Sequence, residues 1–202
     1  MAPAGGRQPV FGSNPLAAAI PVGSRPPILI DFATSVVSSG KLRVARDAGE
    51  PILEGWILDR DGRPSRRPQD CYDGGMPLPA AGHKGSALSL LIDVLSGLLT
   101  GGGTRMRPSS DHELGNGVFF LLIDIGAFRP LTEFTLQEQM LGGLITATPP
   151  TMEGGEVLPP AEPEQRMKAA RLANGIDIPE TTWSGLQDAA SCVGIELAAD
   201  LW

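Results

Sequence analysis

Apolar residues recur at a regular spacing along several stretches of the chain, and the clearest of these covers residues 84–99. Steps of three and four between apolar positions match the period of one face of a helix. A run of three glycines directly after the stretch would end such a helix. The spacing therefore predicts a helix over residues 84–99, with a stripe formed by Leu88, Leu91, Ile92, Leu95, Leu98 and Leu99.

Weaker versions of this spacing predict four more helices. They cover residues 34–47, 131–144, 164–174 and 180–192, with Thr132 as the expected N-cap of the second. Gly175 and Pro179 separate the last two, and the proline-rich run 148–165 is predicted to be an extended connection.

Two short apolar runs predict buried strands instead. One is residues 28–30, which ends at Asp31, and the other is residues 117–124, which ends at Asp124. Residues 1–27 are predicted to be irregular. Loops are expected over residues 50–81, with turns at Asp61-Gly62 and Gly74-Gly75, and over residues 104–117. Separated strands and helices favour an α/β or an α+β class, and the pattern does not decide between the two.

The composition is that of a globular protein of one large domain, or of one domain with a small appendage. Of 202 residues, 42% are hydrophobic and 19% charged, which allows a core, and 26 glycines with 19 prolines predict many turns. Two distant cysteines favour free thiols. No signal-peptide pattern or membrane-length apolar run is visible, so a cytoplasmic location without a membrane partner is expected.

The net charge of −7 argues against nucleic acid as a partner. One basic cluster stands out, formed by Arg60, Arg63, Arg66 and Arg67. A solvated loop accounts for this cluster, and contact with an anion is the alternative.

No general catalytic or binding motif is present. A Gly-x-Gly-x-x-Gly fingerprint is missing, which argues against a Rossmann fold, and the absence of HExxH and CxxC predicts no metal site. One local pattern is suggestive, because His83 and Lys84 lie between glycines at the predicted start of a helix. Backbone N–H groups and a lysine charge there suit a phosphate, although glycine-rich helix starts without a ligand are also common.

Asp31 is the second candidate, since it follows a predicted buried strand. A carboxylate there can orient a histidine or bind a ribose, and the alternative is that it caps the next helix. Asp124 is interpreted as structural, and His112 as a solvated loop residue.

Five blocks of sequence, taken in order, resemble the malate/L-lactate dehydrogenase family of the non-Rossmann type. They are GSNPLAAAIP, LIDFATSVVSSGK, GEPILEGWILDRDG, GGMPLPAAGHKGSALSLLIDVLSGLLTGG and NGIDIPETTW. The family includes malate, lactate, sulfolactate and ureidoglycolate dehydrogenases and reductases of Δ1-piperideine- and Δ1-pyrroline-2-carboxylate. The block GHKGSALS resembles the cyclic-imine reductases most.

This resemblance implies an α+β fold with a mixed, mainly antiparallel sheet flanked by helices, in a homodimer that uses NADPH or NADH. Residues 1–150 would form part of the NAD(P)-binding domain, and residues 151–202 the extended connection and C-terminal helices. The substrate would be a small 2-oxo or 2-imino acid. The implied cofactor-binding residues are Asp31, Ala33, Thr34, His83, Lys84, Pro160, Ala161 and Glu162, with Asp31 also catalytic because it would orient a histidine.

Two departures from the family pattern matter. Pro160 stands where the cofactor loop usually has glycine, which removes a hydrogen-bond donor. In addition, the family's Ser-His pair and arginine lie in an N-terminal domain that would precede Met1, so the general acid is expected to be missing and the chain alone to be inactive. The alternative to a reductase part is a non-catalytic module that binds a nucleotide or dimerises.

Overall fold

A computed structural model describes residues 1–23, 25–104, 107–108 and 116–195. Every strand pair described is antiparallel, and the strands form three small sheets accompanied by helices. The predicted α+β class is therefore confirmed.

A hairpin of two strands opens the fold. Strand β1 (Leu16–Val22) pairs with β2 (Arg25–Phe32), and Ala17 lies opposite Asp31. The prediction that residues 1–27 are irregular holds for residues 1–15 and was wrong for residues 16–22 and 25–27, which lie in the hairpin. The alanines of β1 carry little strand signal of their own and take their extended form from pairing with β2. The predicted strand 28–30 is present but longer, and most of it is exposed rather than buried.

The core lies around a second, three-stranded sheet. Its central strand β3 (Ile57–Leu58) pairs with β4 (Pro64–Ser65) and β5 (Met76–Pro77). Successive side chains of a strand point to opposite faces, so Ile57 and Leu58 enter different clusters. Ile57 packs with Val37, Leu42 and Ile52, and Leu58 packs with Ala2 and Met76.

Two helices flank this sheet. Helix α1 (Ser39–Asp47) contributes Leu42 to the core, and the short helix α2 is Pro68–Tyr72. The prediction that α1 begins at residue 34 was wrong. Residues 35 and 36 bond to the chain near residue 79 instead, since Ser35 bridges Pro79 and the Val36 N–H donates to the Leu78 carbonyl.

The strongest predicted helix is confirmed, but it has two parts. Helix α3 (His83–Ile92) continues into a π-helix (Asp93–Leu98), in which the Leu99 N–H donates to the Val94 carbonyl at 2.8 Å. A π-helix inside an α-helix is rare and is frequently found near functional sites. The short strands β6 (Gly103–Thr104) and β7 (Arg107–Pro108) follow.

The described chain from residue 116 onward consists of an irregular segment and helices with no buried residue. Residues 116–124 form no regular secondary structure, pair with no described strand and include no buried residue, so the prediction of a buried strand at 117–124 was wrong for this chain. After a 3₁₀ turn (Ile125–Ala127) come helices α4 (Leu131–Thr146), α5 (Glu162–Asn174) and α6 (Glu180–Cys192). The N-cap of α4 is Pro130 rather than Thr132. No residue between 116 and 195 is buried.

Candidate cofactor-binding site

The end of β2 and the start of α3 meet backbone to backbone. The Ala80 N–H donates to the Thr34 carbonyl at 2.9 Å, and the Gly85 N–H donates to the Ala80 carbonyl at 2.8 Å. A Cβ atom on Gly85 would lie 2.6 Å from the Thr34 oxygen and 2.5 Å from the Ala80 oxygen. Only glycine permits this approach, so the residue fixes the first turn of α3 against the strand end.

A buried pair of hydroxyl groups joins the same two elements. Thr34 Oγ1 donates to the Ser13 carbonyl at 3.1 Å and lies 2.5 Å from Ser89 Oγ. Since a hydroxyl has one proton to give, Ser89 donates to Thr34 in this arrangement. Both side chains are fully buried, so Thr34 is placed to position the backbone rather than to touch a ligand through its side chain.

Asn14 extends this network to the π-helix. Its Nδ2 donates to the Ser89 carbonyl at 2.9 Å and to Asp93 Oδ1 at 2.8 Å. The residue has a φ of 31°, which asparagine tolerates better than most residues. The loop before β1 is thereby tied to α3 and to the π-helix.

The sequence reasoning missed this network of Ser13, Asn14, Ser89 and Asp93. Two signals could have pointed to it. One is the Asn14-Pro15 pair directly before a strand, and the other is the polar Ser89 within an otherwise apolar helix. Neither signal names the contact partner, because Asn14 and Asp93 are 79 positions apart.

Asp31 does not cap a helix, so that alternative is wrong. Helix α1 is capped by Ser38, whose Oγ accepts from the Lys41 N–H at 3.3 Å. Asp31 lies instead within β2 as an exposed residue, and no described residue donates a hydrogen bond to its carboxylate. Ala33, half-buried, follows two positions later, beside the junction.

His83 and Lys84 lie exposed on the first turn of α3. Fewer backbone N–H groups are available to a ligand there than the sequence pattern predicted. The N–H groups of Lys84, Gly85 and Ser86 already donate to the carbonyls of Ala81, Ala80 and Gly82. Among the described contacts, the His83 N–H has no backbone acceptor, so an anion here would be bound mainly by side chains.

Residues 160–162 form the start of α5. Ala161 has a φ of 69°, which is the left-handed region where glycine is favoured, and Pro160 cannot adopt it. The glycine-like backbone conformation of this loop is therefore at Ala161, one residue after Pro160. Glu162 accepts from Arg166 Nε at 2.9 Å. No described hydrogen bond or ion pair joins residues 160–162 to the junction.

Arg166 also donates to Glu156 at 2.6 Å. Two hydrogen bonds raise the pKa of the Arg166 guanidinium above its ordinary value. The bond to Glu156 has the larger effect and the bond to Glu162 the smaller. The carboxylate of Glu162 is thus engaged within its own helix start and not with the junction.

Other candidates have structural explanations or lie outside the described residues. Asp124 Oδ1 accepts from the Gly126 N–H at 2.9 Å and caps the 3₁₀ turn, which agrees with the interpretation of Asp124 as structural. His112 lies outside the described residues. In the arginine cluster, Arg67 lies 3.5 Å from Asp70, and both Arg66 and Arg67 belong to an exposed loop.

Residues 1–23, 25–104 and 116–195 contain no group of three metal-binding side chains close together. None of the helices in these ranges has the length and apolar content that crossing a bilayer requires.

The chain belongs to the malate/L-lactate dehydrogenase family, whose profile matches residues 1–187. The match covers the hairpin, the junction, helices α4 and α5 and the first part of α6, so the resemblance is confirmed over most of the chain.

Individual relatives agree with this family. The chain is 36% identical to a malate dehydrogenase of Pyrococcus horikoshii, over 97% of this chain and 57% of that protein. It is 35% identical to a Δ1-pyrroline-2-carboxylate reductase of Ancylobacter novellus, over 93% of this chain and 55% of that protein. The solved structure of the Pyrococcus horikoshii enzyme superposes with a TM-score of 0.80 at 32% identity, over 98% of this chain and 56% of that one. The chain spans about half the length of the relatives it matches.

Proposed function

We propose that the chain is the cofactor-binding part of an NAD(P)-dependent oxidoreductase that acts on small 2-oxo or 2-imino acids. The observation that carries the proposal is the junction of β2 and α3, where Gly85 packs on the Thr34 carbonyl. On this rigid junction, Asp31, His83 and Lys84 are all exposed and none is engaged by a described hydrogen bond of its side chain. Exposed polar groups on a fixed backbone are what a ligand site requires.

The residues of the junction fit a nicotinamide dinucleotide. Lys84 carries a charge for a phosphate, and His83 has a ring nitrogen for a hydroxyl or phosphate oxygen. Ala33 leaves room beside the strand end, and Thr34 positions the backbone from the interior. When bound, the nicotinamide group would give or accept a hydride. Asp31, whose carboxylate accepts no hydrogen bond from the described residues, would orient a histidine that the rest of the enzyme provides.

The structure gives less support for residues 160–162 as cofactor-binding residues. The left-handed Ala161 lets the chain turn into α5, and Glu162 is engaged by Arg166. We place Pro160, Ala161 and Glu162 at the edge of the cofactor site on the family resemblance alone. Nothing in the described contacts brings them to His83 or Lys84.

For the substrate, we propose Δ1-pyrroline- or Δ1-piperideine-2-carboxylate, which would be reduced to the cyclic amino acid. The likeness to the Ancylobacter novellus reductase supports this choice. A second candidate is a malate- or lactate-type 2-hydroxy acid, which the likeness to the Pyrococcus horikoshii enzyme over nearly the whole chain favours.

The wider organisation follows the same proposal. Residues 1–150 would form part of the NAD(P)-binding domain, and residues 151–202 the connection and terminal helices. The cofactor would be NADPH or NADH, and the complete enzyme a cytoplasmic homodimer. A non-catalytic module that binds the nucleotide or dimerises is the alternative for the chain on its own.

The test is a titration of NADPH and of NADH into the 202-residue chain, followed by nicotinamide fluorescence. Lys84→Ala should weaken binding by about 1.5–3 kcal/mol, the typical value for a lost hydrogen bond to a charged group. The control is Lys168→Ala, which removes an exposed lysine from α5 and should leave affinity unchanged. Equal affinities of the unchanged chain and Lys84→Ala would contradict the assignment.

Activity is tested in a chimera in which this chain replaces its matched part of the Pyrococcus horikoshii enzyme. The chain alone should not oxidise NADPH or NADH with any 2-oxo or 2-imino acid, because a general acid typically contributes about 10²–10⁴-fold. The chimera should turn over one of the two substrate classes. Turnover by the chain alone at the chimera's rate would show that the acid is misplaced, with His83 the first residue to reconsider.

A further inference from the structure

Asn14 lies in the loop before β1 and combines an uncommon backbone conformation with a fully used side chain. Its φ of 31° lies in the left-handed region, which persists in a residue other than glycine only where the surroundings enforce it. Its amide nitrogen donates to the Ser89 carbonyl at 2.9 Å and to Asp93 Oδ1 at 2.8 Å. Residues held in sparsely populated conformations cluster at functional sites, so Asn14 is a candidate for a functional role.

The side chain of Asn14 can take only one orientation in these contacts. Both partners are acceptors, so the amide nitrogen and not the oxygen faces them. The oxygen lies next to Gly12, where a Cβ atom would be 2.7 Å from it. Asparagine is therefore needed here for its N–H groups, and a carboxylate in its place would face two acceptors.

The Ser89 carbonyl lies where α3 changes into the π-helix. Asp93 is the first residue of the π-helix, and its N–H donates to this carbonyl as well as to that of Leu90. With Asn14 as a further donor, both lone pairs of the Ser89 oxygen are used. A side chain that bonds into the carbonyl ladder of a helix is a known cause of irregular helix geometry. Asn14 thus fixes the end of α3 from outside the helix.

The same loop fixes the end of β2. The Ser13 carbonyl accepts from the Thr34 N–H at 2.9 Å and from Thr34 Oγ1 at 3.1 Å. Two consecutive loop residues therefore bind two different elements, since Ser13 binds the strand end and Asn14 binds the helix. We call Ser13 and Asn14, together with these hydrogen bonds, the loop clamp.

The loop clamp connects the two halves of the proposed cofactor site. Asp31 lies three residues before Thr34 along the chain. Lys84 lies five residues before Ser89 on α3. Packed, rigid elements carry a displacement from one end to the other. A shift of the strand end or of α3 within the loop clamp would therefore move Asp31 relative to Lys84.

We propose that Asn14 is a positioning residue, which sets the spacing between the end of β2 and α3 and thereby the affinity for the dinucleotide. The effect on affinity rests on the proposed function, whereas the spacing depends only on the loop clamp. Asn14 acts without touching the dinucleotide, because both of its amide N–H groups are engaged within the protein.

Asn14→Asp tests the effect on affinity. The change keeps the size of the side chain, and aspartate tolerates a positive φ much as asparagine does. It places a carboxylate against the Ser89 carbonyl and Asp93 and removes the donor. Titration of NADPH into the 202-residue chain should show affinity lowered by about 2–30-fold, the range for residues that act on a site through its supporting structure.

Amide hydrogen exchange of the same variant tests the spacing without a ligand. The Ala80 and Gly85 amides form the junction, and in Asn14→Asp they should exchange at least about fivefold faster, because a partly buried acceptor is left unpaired. Peptides around Leu42 in the core should keep their protection. If the core loses protection too, Asp93→Ala replaces this variant. It removes one acceptor, adds no charge, and should act in the same direction by a smaller factor.

Two control variants separate the loop clamp from charge and general stability. Gln69→Glu makes the same amide-to-carboxylate change on the surface of α2, where Gln69 Nε2 donates to Asp73 Oδ1 at 2.8 Å. It should alter neither NADPH affinity nor exchange at the junction. Asn14→Asp combined with Asp93→Asn exchanges the donor and the acceptor of the pair, and should restore most of the affinity and of the protection.

The two measurements distinguish failure of this proposal from failure of the proposed function. If the unmodified chain binds NADPH, then equal affinity or unchanged junction exchange in Asn14→Asp overturns the role of Asn14 and leaves the cofactor site standing. An equal loss of affinity in Gln69→Glu overturns it as well. If the unmodified chain binds no NADPH, the proposed function fails. Faster junction exchange in Asn14→Asp then still supports the spacing, and unchanged exchange overturns it.

Discussion

Residues 1–104 and residues 116–195 differ in burial far more than in composition. Every buried hydrophobic residue described lies in the first region, from Met1 to Met76, and the second region has no buried residue. The second region nevertheless contains long apolar side chains on α4, among them Leu136, Met140, Leu141 and Leu144, all of them exposed. The apolar side chains of residues 1–104 pack against one another and form a core. Those of residues 116–195 have no described surface to pack against.

The difference between the two regions separates helix formation, which nearby residues can produce, from burial, which needs a partner surface. Helices α4, α5 and α6 form without a side-chain hydrogen bond at their N-caps, and most helix stability in proteins comes from packing an apolar face. The first region obtains that packing from β3, which sends Ile57 and Leu58 to opposite sides. The second region is therefore expected to contribute little to the free energy of unfolding of this chain.

The largest expected contrast is between two aliphatic truncations. Ile57→Ala removes a fully buried side chain and should lower the free energy of unfolding by about 2–5 kcal/mol. Leu144→Ala removes a side chain that is 69% exposed and should change it by no more than about 0.5 kcal/mol. Urea denaturation followed by circular dichroism measures both. A comparable loss from the two variants would remove the distinction between the regions.

A pair of glycines gives the next contrast. Gly85→Ala would force a Cβ atom to within 2.6 Å of the Thr34 carbonyl oxygen, and overpacking of this kind costs about 1–3 kcal/mol. Gly142 lies inside α4 with open space around it, so Gly142→Ala should stabilise that helix by about 0.5–1 kcal/mol. Thermal melts should show a lower midpoint for Gly85→Ala, whereas Gly142→Ala should leave the midpoint nearly unchanged and raise the helical signal in circular dichroism. A stabilised Gly85→Ala variant would show that the junction is not closely packed.

The smallest contrast concerns hydroxyl groups. Ser89→Ala removes a buried donor to Thr34 Oγ1 and should cost about 1 kcal/mol. Thr135→Ala removes a hydroxyl that bonds only to the exposed first turn of α4, and its effect should stay within about 0.5 kcal/mol. Chemical denaturation of the two variants, measured side by side, resolves the difference. Equal effects would mean that the buried network does not hold the junction together.

Local sequence patterns predicted the bounds of a helix correctly where those bounds depend only on nearby residues. Helix α6 has the bounds that Gly175, Pro179 and its apolar spacing predicted, and α4 begins at the predicted Leu131. In each case the necessary information lies within a few turns of chain.

Elements that depend on distant partners were not predictable in this way. Strand β1 was missed because its alanines need β2 to become a strand. Residues 117–124 were predicted to be a buried strand from their apolar character alone, yet no described strand pairs with them. At the site, exposed His83 and Lys84 could be found from their glycine-flanked position. The contact of Thr34 with Ser89 could not, because it joins residues 55 positions apart.

The most direct test of the two-region account is native-state hydrogen exchange of the unmodified chain, read by mass spectrometry at low protein concentration. We expect peptides around Leu42 and Ile57 to be protected up to the free energy of global unfolding, because these residues form the core. Peptides from residues 118–123 and from α5 should exchange fast. Equal protection of residues 118–123 and of Ile57 would contradict the account, since it would require a complete core in both regions.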